Sequence, residues 1–331
     1  MKHFGEIDMA HGWQEFHQSS DGAFTAGENG VLRVISTGDG KVELISLENA
    51  TLAHVKSNMG YPAYYPIKPV ALTRPVKAVL MDLDGTTVHS EEFWVAMIEL
   101  TVQSLLNDPK FAFAAEDLPF VSGHSVSAHL QYCIEKYAPS ASLKEARALY
   151  TEHTAREMAL ILTGQGRPNA FCPAPGIREF LTELKAMGIK IALVTSGLYR
   201  KAYPEILSAF DTLKMGDPMA FYDCIITSGH PLEKGAAGTL GELEAKPHPW
   251  LYAEACRVGL GIADSERGQV VGIEDSGAGV CALRLAGYYT VGISGGNILE
   301  SGTLGMCHAY LDTFDEILRL IKGDSHESQA E

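Results

Sequence analysis

Two aspartates, Asp82 and Asp84, stand two residues apart where a largely apolar run, residues 76–81, meets a glycine. The run predicts a buried strand, and open α/β sheets bind their ligands in the crevice beyond the carboxyl ends of such strands. Side chains two residues apart on a strand point the same way, so the two carboxylates would crowd one small space. Such crowding is costly unless a shared proton or a cation relieves it, and Mg²⁺ prefers hard oxygen ligands of this kind.

Polar or charged residues mark three further positions where predicted strands end, later in the chain. Taken singly, each has an ordinary structural explanation, such as a helix cap or a solvated lysine. The carboxyl ends of parallel strands meet at one edge of a sheet, so together with the first two aspartates these groups predict one site. The residues concerned are Thr195 with Ser196, Lys246, and Glu274 with Asp275.

After residue 172 the sequence alternates predicted helices with predicted strands. Alternation of this kind implies a parallel sheet covered by helices on both faces, which is a doubly wound, Rossmann-like α/β fold. Before it, residues from about 90 to 170 show only helical spacing, which predicts an inserted α-helical domain. The later strands are predicted at 189–194, 222–227, 270–273 and 289–293.

The first 73 residues do not belong to this alternation. The runs 31–36 and 41–45 flank a turn at 38–40, which predicts a β-hairpin. Three prolines in the segment 61–69 favour an extended linker. The predicted parts are a small, mainly β N-terminal appendage (1–73), an α/β core (74–88 and 172–322), a helical cap (89–171) and a polar tail (323–331).

The composition limits the class of protein. With 331 residues, 46% of them hydrophobic, the chain is long enough for a sizeable core and an extra module. A formal net charge of −15 disfavours nucleic acids and anionic membrane surfaces as partners, and no apolar run approaches the length of a bilayer span. Six scattered cysteines without a CxxC pair, and a first ten residues without an apolar segment, predict a cytoplasmic protein with reduced thiols.

Four groups of residues resemble, in order and spacing, the four motifs of the haloacid dehalogenase (HAD) superfamily. They are Asp82 with Asp84, Thr195 with Ser196, Lys246, and Glu274 with Asp275. The resemblance covers residues from about 75 to 322 and leaves the N-terminal portion unexplained. The predicted helical insert lies between the first and second motifs, where members similar to β-phosphoglucomutase and phosphoglycolate phosphatase carry a helical cap. The segments 84–91 and 274–279 also resemble the corresponding segments of that subgroup.

The resemblance implies separate roles for the acidic residues. Asp82 would be the nucleophile that attacks phosphorus and forms an aspartyl-phosphate. Asp84 would be the general acid and base, protonating the leaving alcohol and then deprotonating the attacking water. Mg²⁺ would be held by the side chain of Asp82, the backbone carbonyl of Asp84 and the side chain of Asp275, with Glu274 helping to place the metal.

The resemblance also implies how the phosphoryl group is held. Thr195 or Ser196 would donate a hydroxyl, and Gly197 would open a helix whose N-terminal amides favour phosphate oxygens. Lys246 would supply positive charge to both the Asp82 carboxylate and the phosphoryl group.

Substrate specificity is expected in the cap and at the edge of the site. His89 stands where an aspartate is more usual, at the hinge into the cap. Gly123 and His124 resemble the cap loop that contacts substrate, although a surface or capping role for His124 is an equal alternative. His248 and Trp250 stand where related sequences usually have a small residue and an aspartate.

The predicted function is a Mg²⁺-dependent phosphatase that acts on a small phosphorylated metabolite, such as a sugar phosphate. A phosphomutase would use the same aspartates but would retain a bisphosphate intermediate. A haloacid dehalogenase is less favoured, because that chemistry does not use the second aspartate, present here as Asp84. A non-catalytic binding or regulatory protein on the same fold is the alternative from another class.

Overall fold

The computed structural model of the protein describes residues 12–56, 62–121, 126–167, 169–228, 239–240 and 245–324. The chain divides into two compact units. We call them the core unit and the cap unit. The core unit takes its described residues from Met1–Thr87, Ala174–Ala202 and Asp217–Glu331, and the cap unit from Val88–Pro173 and Tyr203–Gly216.

Fourteen strands occur among the described residues, and they form three sheets. In chain order they are β1 (Gln14–Phe16), β2 (Val31–Ser36), β3 (Val42–Leu47), β4 (Thr51–Lys56), β5 (Pro62–Pro66), β6 (Ala78–Asp82), β7 (Val88–His89), β8 (Cys172–Pro173), β9 (Lys190–Thr195), β10 (Cys224–Ser228), β11 (Thr239–Leu240), β12 (Val270–Glu274), β13 (Tyr289–Ile293) and β14 (Ala309–Leu311).

Ten α-helices occur in the same part of the chain, and short 3₁₀ or π turns connect some of them. The helices are α1 (Glu91–Leu106), α2 (Leu118–Val121), α3 (Val126–Tyr137), α4 (Leu143–Leu162), α5 (Ile177–Ala186), α6 (Tyr199–Leu213), α7 (Pro218–Phe221), α8 (Trp250–Glu254), α9 (Gly277–Ala286) and α10 (Phe314–Lys322).

The core unit is built on a seven-stranded parallel sheet in the order β11-β10-β9-β6-β12-β13-β14. The central strand β6 is buried along its whole length, as expected for a strand covered on both faces. Side chains of β6, β9, β10 and β12 share a buried cluster with α8 and α9, and α5 packs on β9. The predicted Rossmann-like α/β fold is therefore confirmed.

The N-terminal residues form a five-stranded antiparallel sheet in the order β1 to β5, which we call the N-terminal sheet. The predicted hairpin is present as β2 and β3. The proline-containing segment 61–69, however, contains a strand, because β5 pairs with β4 from Pro62 to Pro66. Both of these prolines lie at the ends of an edge strand, where a missing backbone N–H is tolerated.

The cap unit contains helices α1 to α4, which pack around a buried cluster that includes Ile98, Leu130 and Ile134. Asp117 is fully buried beside this cluster and accepts hydrogen bonds from Tyr132 and Lys136, among others. Burial alone would raise the pKa of Asp117, but these hydrogen bonds outweigh it and hold the pKa well below its usual value. The helical insert predicted at 89–171 corresponds to most of this unit, which also includes Tyr203–Gly216.

Candidate active site

Three neighbouring strands of the parallel sheet end in polar side chains at the same edge. Asp82, Thr195 and Glu274 are the last residues of β6, β9 and β12. β6 lies between the other two strands and runs parallel to both. The sequence-based expectation that these strand ends converge is therefore met for the three strands, and the carboxylates of Asp82, Glu274 and Asp275 lie within 4.8 Å of one another.

Lys246 connects this edge of the sheet to the loop before α8. Its Nζ atom donates a hydrogen bond to Oδ1 of Asp82, another of 2.7 Å to Oε1 of Glu274, and a third of 3.0 Å to the carbonyl oxygen of Val194. The side chain is only 7% exposed. Burial lowers the pKa of Lys246, but Asp82 and Glu274 outweigh it and raise the pKa above its ordinary value, so the ammonium stays charged.

Tyr252, on α8, is part of the same site although its sequence position gave no indication of it. Its hydroxyl donates a hydrogen bond of 2.5 Å to Oε1 of Glu274, and its ring lies 4.9 Å from Nζ of Lys246. Burial and the nearby Glu274 carboxylate raise the pKa of Tyr252 well above its ordinary value, so it remains a donor. Only the need of a buried tyrosine hydroxyl for a partner would have signalled this role.

Glu274 and Asp275 are held by different hydrogen bonds. Oε2 of Glu274 accepts a hydrogen bond of 3.0 Å from the hydroxyl of Ser276. Because Lys246 and Tyr252 occupy Oε1, the Glu274 carboxylate is fixed in orientation. Asp275 accepts one hydrogen bond of 3.2 Å from the hydroxyl of Thr86.

Three of these carboxylates fit a metal ion. Asp82, Glu274 and Asp275 each offer one oxygen within 4.8 Å of the others, and all three are buried; they are the only such group among the described residues. Burial and the neighbouring Glu274 raise the pKa of Asp82 well above its ordinary value and that of Asp275 to about 7. A divalent cation would relieve this crowding, and three hard oxygen donors suit one.

Glycines allow the close approach of backbone to these carboxylates. Gly85 has a φ of +84°, and a Cβ there would overlap the carboxylate of Asp275. A Cβ on Gly279 would overlap the carboxylate of Glu274 in the same way. These positions require glycine for space, and Gly85 requires it also for its left-handed backbone.

Asp84 lies beside the buried cluster but is more accessible. Its side chain is 37% exposed, and its Oδ1 atom lies 3.6 Å from Nζ of Lys201. The turn that carries it is fixed by a hydrogen bond of 2.5 Å from the hydroxyl of Thr87 to the carbonyl oxygen of Asp82. The two aspartates expected to crowd one space therefore differ in burial.

The predicted phosphate-binding residues form the turn between β9 and α6. Thr195 is buried, and its Oγ1 atom accepts a hydrogen bond of 2.9 Å from the backbone N–H of Gly197. Ser196 is exposed, and its Oγ atom accepts a hydrogen bond of 3.2 Å from the backbone N–H of Lys246. This hydrogen bond joins the turn to the segment 245–249 before α8, which we call the lysine loop.

The sequence pattern of the haloacid dehalogenase-like hydrolase family matches residues 76–287, which is more than half of the chain. The chain belongs to this family. The predicted recognition, and the prediction that the protein is an enzyme of this superfamily, are confirmed. Among the residues of this HAD-like hydrolase that the structure describes, no helix has the length and apolarity that a membrane span requires.

Individual proteins are similar to this HAD-like hydrolase in sequence or in fold. A validoxylamine A 7′-phosphate phosphatase from Streptomyces hygroscopicus subsp. limoneus is 26% identical over 230 residues, which cover 66% of this chain and 85% of that protein. A protein from Thermotoga maritima proposed to be a β-phosphoglucomutase has a TM-score of 0.53 at 22% identity and covers 75% of this chain and 100% of its own. A subfamily IA HAD hydrolase from Geobacter sulfurreducens PCA has a TM-score of 0.52 at 15% identity, with coverage of 76% and 99%.

The structure describes one of the three predicted specificity residues of this HAD-like hydrolase. His89 lies on β7 in the cap unit, is exposed, and pairs with Cys172 on β8. Gly123 and His124 lie outside the described residues. A role of any of the three in choosing the substrate stays a prediction.

Proposed function

We propose that this HAD-like hydrolase is a Mg²⁺-dependent phosphatase that hydrolyses a small phosphorylated metabolite through an aspartyl-phosphate on Asp82. The observation that carries this proposal is the buried arrangement in which Lys246 bonds both Asp82 and Glu274 while Asp275 lies within reach of both carboxylates. Such a site concentrates negative charge that only cations can balance, and phosphoryl transfer is catalysed mainly by positioning and electrostatic stabilisation.

Asp82 is the nucleophile in this proposal. One oxygen, Oδ1, is held by Lys246, which fixes the direction of the carboxylate. Attack on phosphorus forms the bond from the Asp82 oxygen to phosphorus and breaks the bond from phosphorus to the ester oxygen. Water then attacks the phosphorus of this aspartyl-phosphate, which releases inorganic phosphate and restores the carboxylate.

Asp84 is the general acid and base. Its partial exposure suits a group that must reach both a departing alcohol and an incoming water. In the first step its proton passes to the leaving oxygen, and in the second step it accepts a proton from the attacking water.

The phosphoryl oxygens are held by the chain itself at two places. The Thr195 hydroxyl accepts from the Gly197 amide, and this hydrogen bond orients its own proton so that it can be donated to a phosphoryl oxygen. The Ser196 hydroxyl, fixed by the backbone of Lys246, can donate in the same way. Lys246 stabilises the negative charge shared between Asp82 and the phosphoryl group.

The metal would be held by the side chains of Asp82 and Asp275 and the backbone carbonyl of Asp84. Glu274 would position the site, because hydrogen bonds engage both of its oxygens. When bound, Mg²⁺ would neutralise charge on the phosphoryl oxygens.

The proposed substrate is a sugar phosphate or a similar monoester. The relative named for validoxylamine A 7′-phosphate supports a phosphorylated small molecule as the substrate class. The cytoplasm is the proposed location, and all six cysteines are free, as a reducing compartment requires.

The proposal is tested with the purified full chain and a panel of phosphorylated metabolites, with p-nitrophenyl phosphate as a generic ester. Steady release of inorganic phosphate with Mg²⁺, lost in EDTA and restored by Mg²⁺, is the expected result. Chloroacetate serves as the control for dehalogenation and should release no chloride. A monophosphate that is isomerised without steady phosphate release would instead identify a phosphomutase, and no turnover of any ester would contradict the proposal.

A further inference from the structure

The N-terminal sheet lies outside the residues that match the family, because the match begins at residue 76. Nevertheless it belongs to the same compact unit as the parallel sheet. The N-terminal sheet contacts residues close to Lys246 and to Asp275 in three places.

The first connection is a shared hydrophobic core. Buried side chains of the N-terminal sheet, among them Ile35, Leu44 and Val55, pack in one cluster with Val280 and Cys281 of α9. α9 begins two residues after Asp275. The helix that follows the metal-site residues therefore rests on the N-terminal sheet.

The second connection is a backbone contact. The amide of Asp39, in the turn between β2 and β3, donates a hydrogen bond of 2.9 Å to the carbonyl oxygen of Ser301. The Ser301 side chain in turn packs so closely on Gly277 that a Cβ at Gly277 would overlap it. Gly277 is the first residue of α9.

The third connection reaches the lysine loop. The Tyr65 hydroxyl, on β5, shares a hydrogen bond of 2.8 Å with Nδ1 of His248, and the two rings meet edge to face at 5.9 Å. His248 is 3% exposed and lies two residues after Lys246. This part-buried hydrogen bond, two residues from Lys246, restrains the backbone from which the lysine side chain extends.

We infer that the N-terminal sheet positions Lys246 for the reaction, and that Tyr65 and His248 are the positioning residues that transmit this effect. Lys246 must meet Asp82, Glu274 and the Val194 carbonyl at once, so a small displacement of its backbone breaks at least one of these contacts. This inference rests on the proposed function for the identity of the reaction. The contrasting possibility is that the N-terminal sheet only stabilises the fold.

The decisive comparison is between Tyr65→Phe and Tyr64→Phe. Both substitutions remove one hydroxyl from the same strand, but adjacent residues of a strand point to opposite faces, and the Tyr64 hydroxyl bonds Asp21 instead. We expect Tyr65→Phe to lower kcat by about five- to tenfold, because the net contribution of one hydrogen bond corresponds to a rate factor of this size. KM should change by less than about twofold. Tyr64→Phe should leave kcat unchanged.

Two further variants separate positioning from general stabilisation. His248→Asn places a polar atom near the position of Nδ1 and should retain most of the activity, whereas His248→Ala should lose as much as Tyr65→Phe. In a double-mutant cycle with Lys246→Arg, adding Tyr65→Phe should change kcat little, because the group it positions is already altered. Equal kcat for Tyr65→Phe and Tyr64→Phe, or additive effects in the cycle, would overturn the inference.

A measurement without turnover keeps the test independent of the proposed function. The same cycle, with Lys246→Met, is read from the urea midpoint of unfolding in the absence of metal. We expect the shift caused by Tyr65→Phe to be smaller in the Lys246→Met background, and additive shifts would again refute the inference. A wild-type protein that is inactive on every ester would refute the proposed function alone.

Discussion

Lys246 and Glu274 are joined by a hydrogen bond of 2.7 Å between Nζ and Oε1, in a site where neither side chain is more than 7% exposed. The lysine also bonds Asp82, so two buried carboxylates share one buried ammonium. Asp275 adds a third carboxylate at the same edge of the sheet. The site is therefore short of positive charge until a cation enters it.

Removing the ammonium should destabilise the metal-free protein. Breaking a buried ion pair leaves an uncompensated charge, so Lys246→Met should lower the free energy of unfolding by about 3 kcal/mol. The rate of phosphate release should fall by about 10²- to 10³-fold, because the ammonium no longer stabilises the phosphoryl group. Urea unfolding and steady-state kinetics measure the two effects. The stability control is Lys201→Met, whose partner Asp84 is partly exposed, and it should change stability by less than about 1 kcal/mol. Equal losses of stability in the two variants would contradict the buried pairing.

The stability of the metal-free protein should fall as the pH rises towards 7. The pKa of Asp275 is raised to about 7 by burial and by Glu274, whereas an unfolded aspartate has a pKa near 4. The folded chain therefore holds a proton that the unfolded chain has released, and this stabilisation is present below about pH 4 and disappears as the pH rises through 7. The raised pKa of Asp82 acts in the same direction.

Unfolding midpoints in EDTA between pH 5 and pH 8 measure this dependence. Asp275→Asn should make the dependence shallower, because one of the two titrating carboxyl groups is gone while Asp82 remains. Mg²⁺ should stabilise the protein more at pH 8 than at pH 5, where protons compete for the same oxygens. A wild-type midpoint that rises between pH 5 and pH 8 would contradict the raised pKa of Asp275.

The glycine at position 85 should be needed for the site as well as for the turn. Gly85→Ala places a methyl group in the volume of the Asp275 carboxylate, so activity should fall at least about tenfold. Gly176 has a similar left-handed backbone, with a φ of +77°, but a Cβ there would meet nothing within 4 Å. Gly176→Ala should therefore cost about 1–2 kcal/mol of stability and leave kcat unchanged. Equal activity of the two variants would contradict the close approach to Asp275.

The N-terminal sheet and the parallel sheet should unfold together, because they share a hydrophobic core. Leu44→Ala empties a fully buried position in that core and should cost about 2–5 kcal/mol. Leu32→Ala, at a position 56% exposed, should change stability by less than about 0.5 kcal/mol. Calorimetry of the full chain should show one shifted transition for Leu44→Ala. A separate early transition would mean that the N-terminal sheet unfolds alone.

The sequence predicted the residues at the strand ends well, since each apolar run stops where the backbone emerges from the sheet. Asp82, Thr195 and Glu274 were placed in this way. Lys246 was also expected at a strand end, but it lies in the loop before α8, from which its ammonium reaches Asp82 and Glu274.

The sequence did not predict contacts that depend on packing between distant segments. Tyr252 looked like an ordinary helix residue, and its bond to Glu274 depends on how α8 lies against the sheet. β5 was missed because Pro62 and Pro66 disfavour a strand, although an edge position tolerates both. β4 contains no proline, and its pairing with β3 and β5 was not predicted. β14 and α10 carry no chemistry and were not distinguished within the core.

The most direct test of the account is the rate of phosphate release by Asp82→Asn, measured with p-nitrophenyl phosphate and Mg²⁺ beside the wild type. An amide cannot form the aspartyl-phosphate, so the rate should fall by more than about 10⁴-fold while the unfolding midpoint shows that the variant is folded. Mg²⁺-dependent hydrolysis that survives in the folded variant at a rate near that of the wild type would show that Asp82 is not the nucleophile.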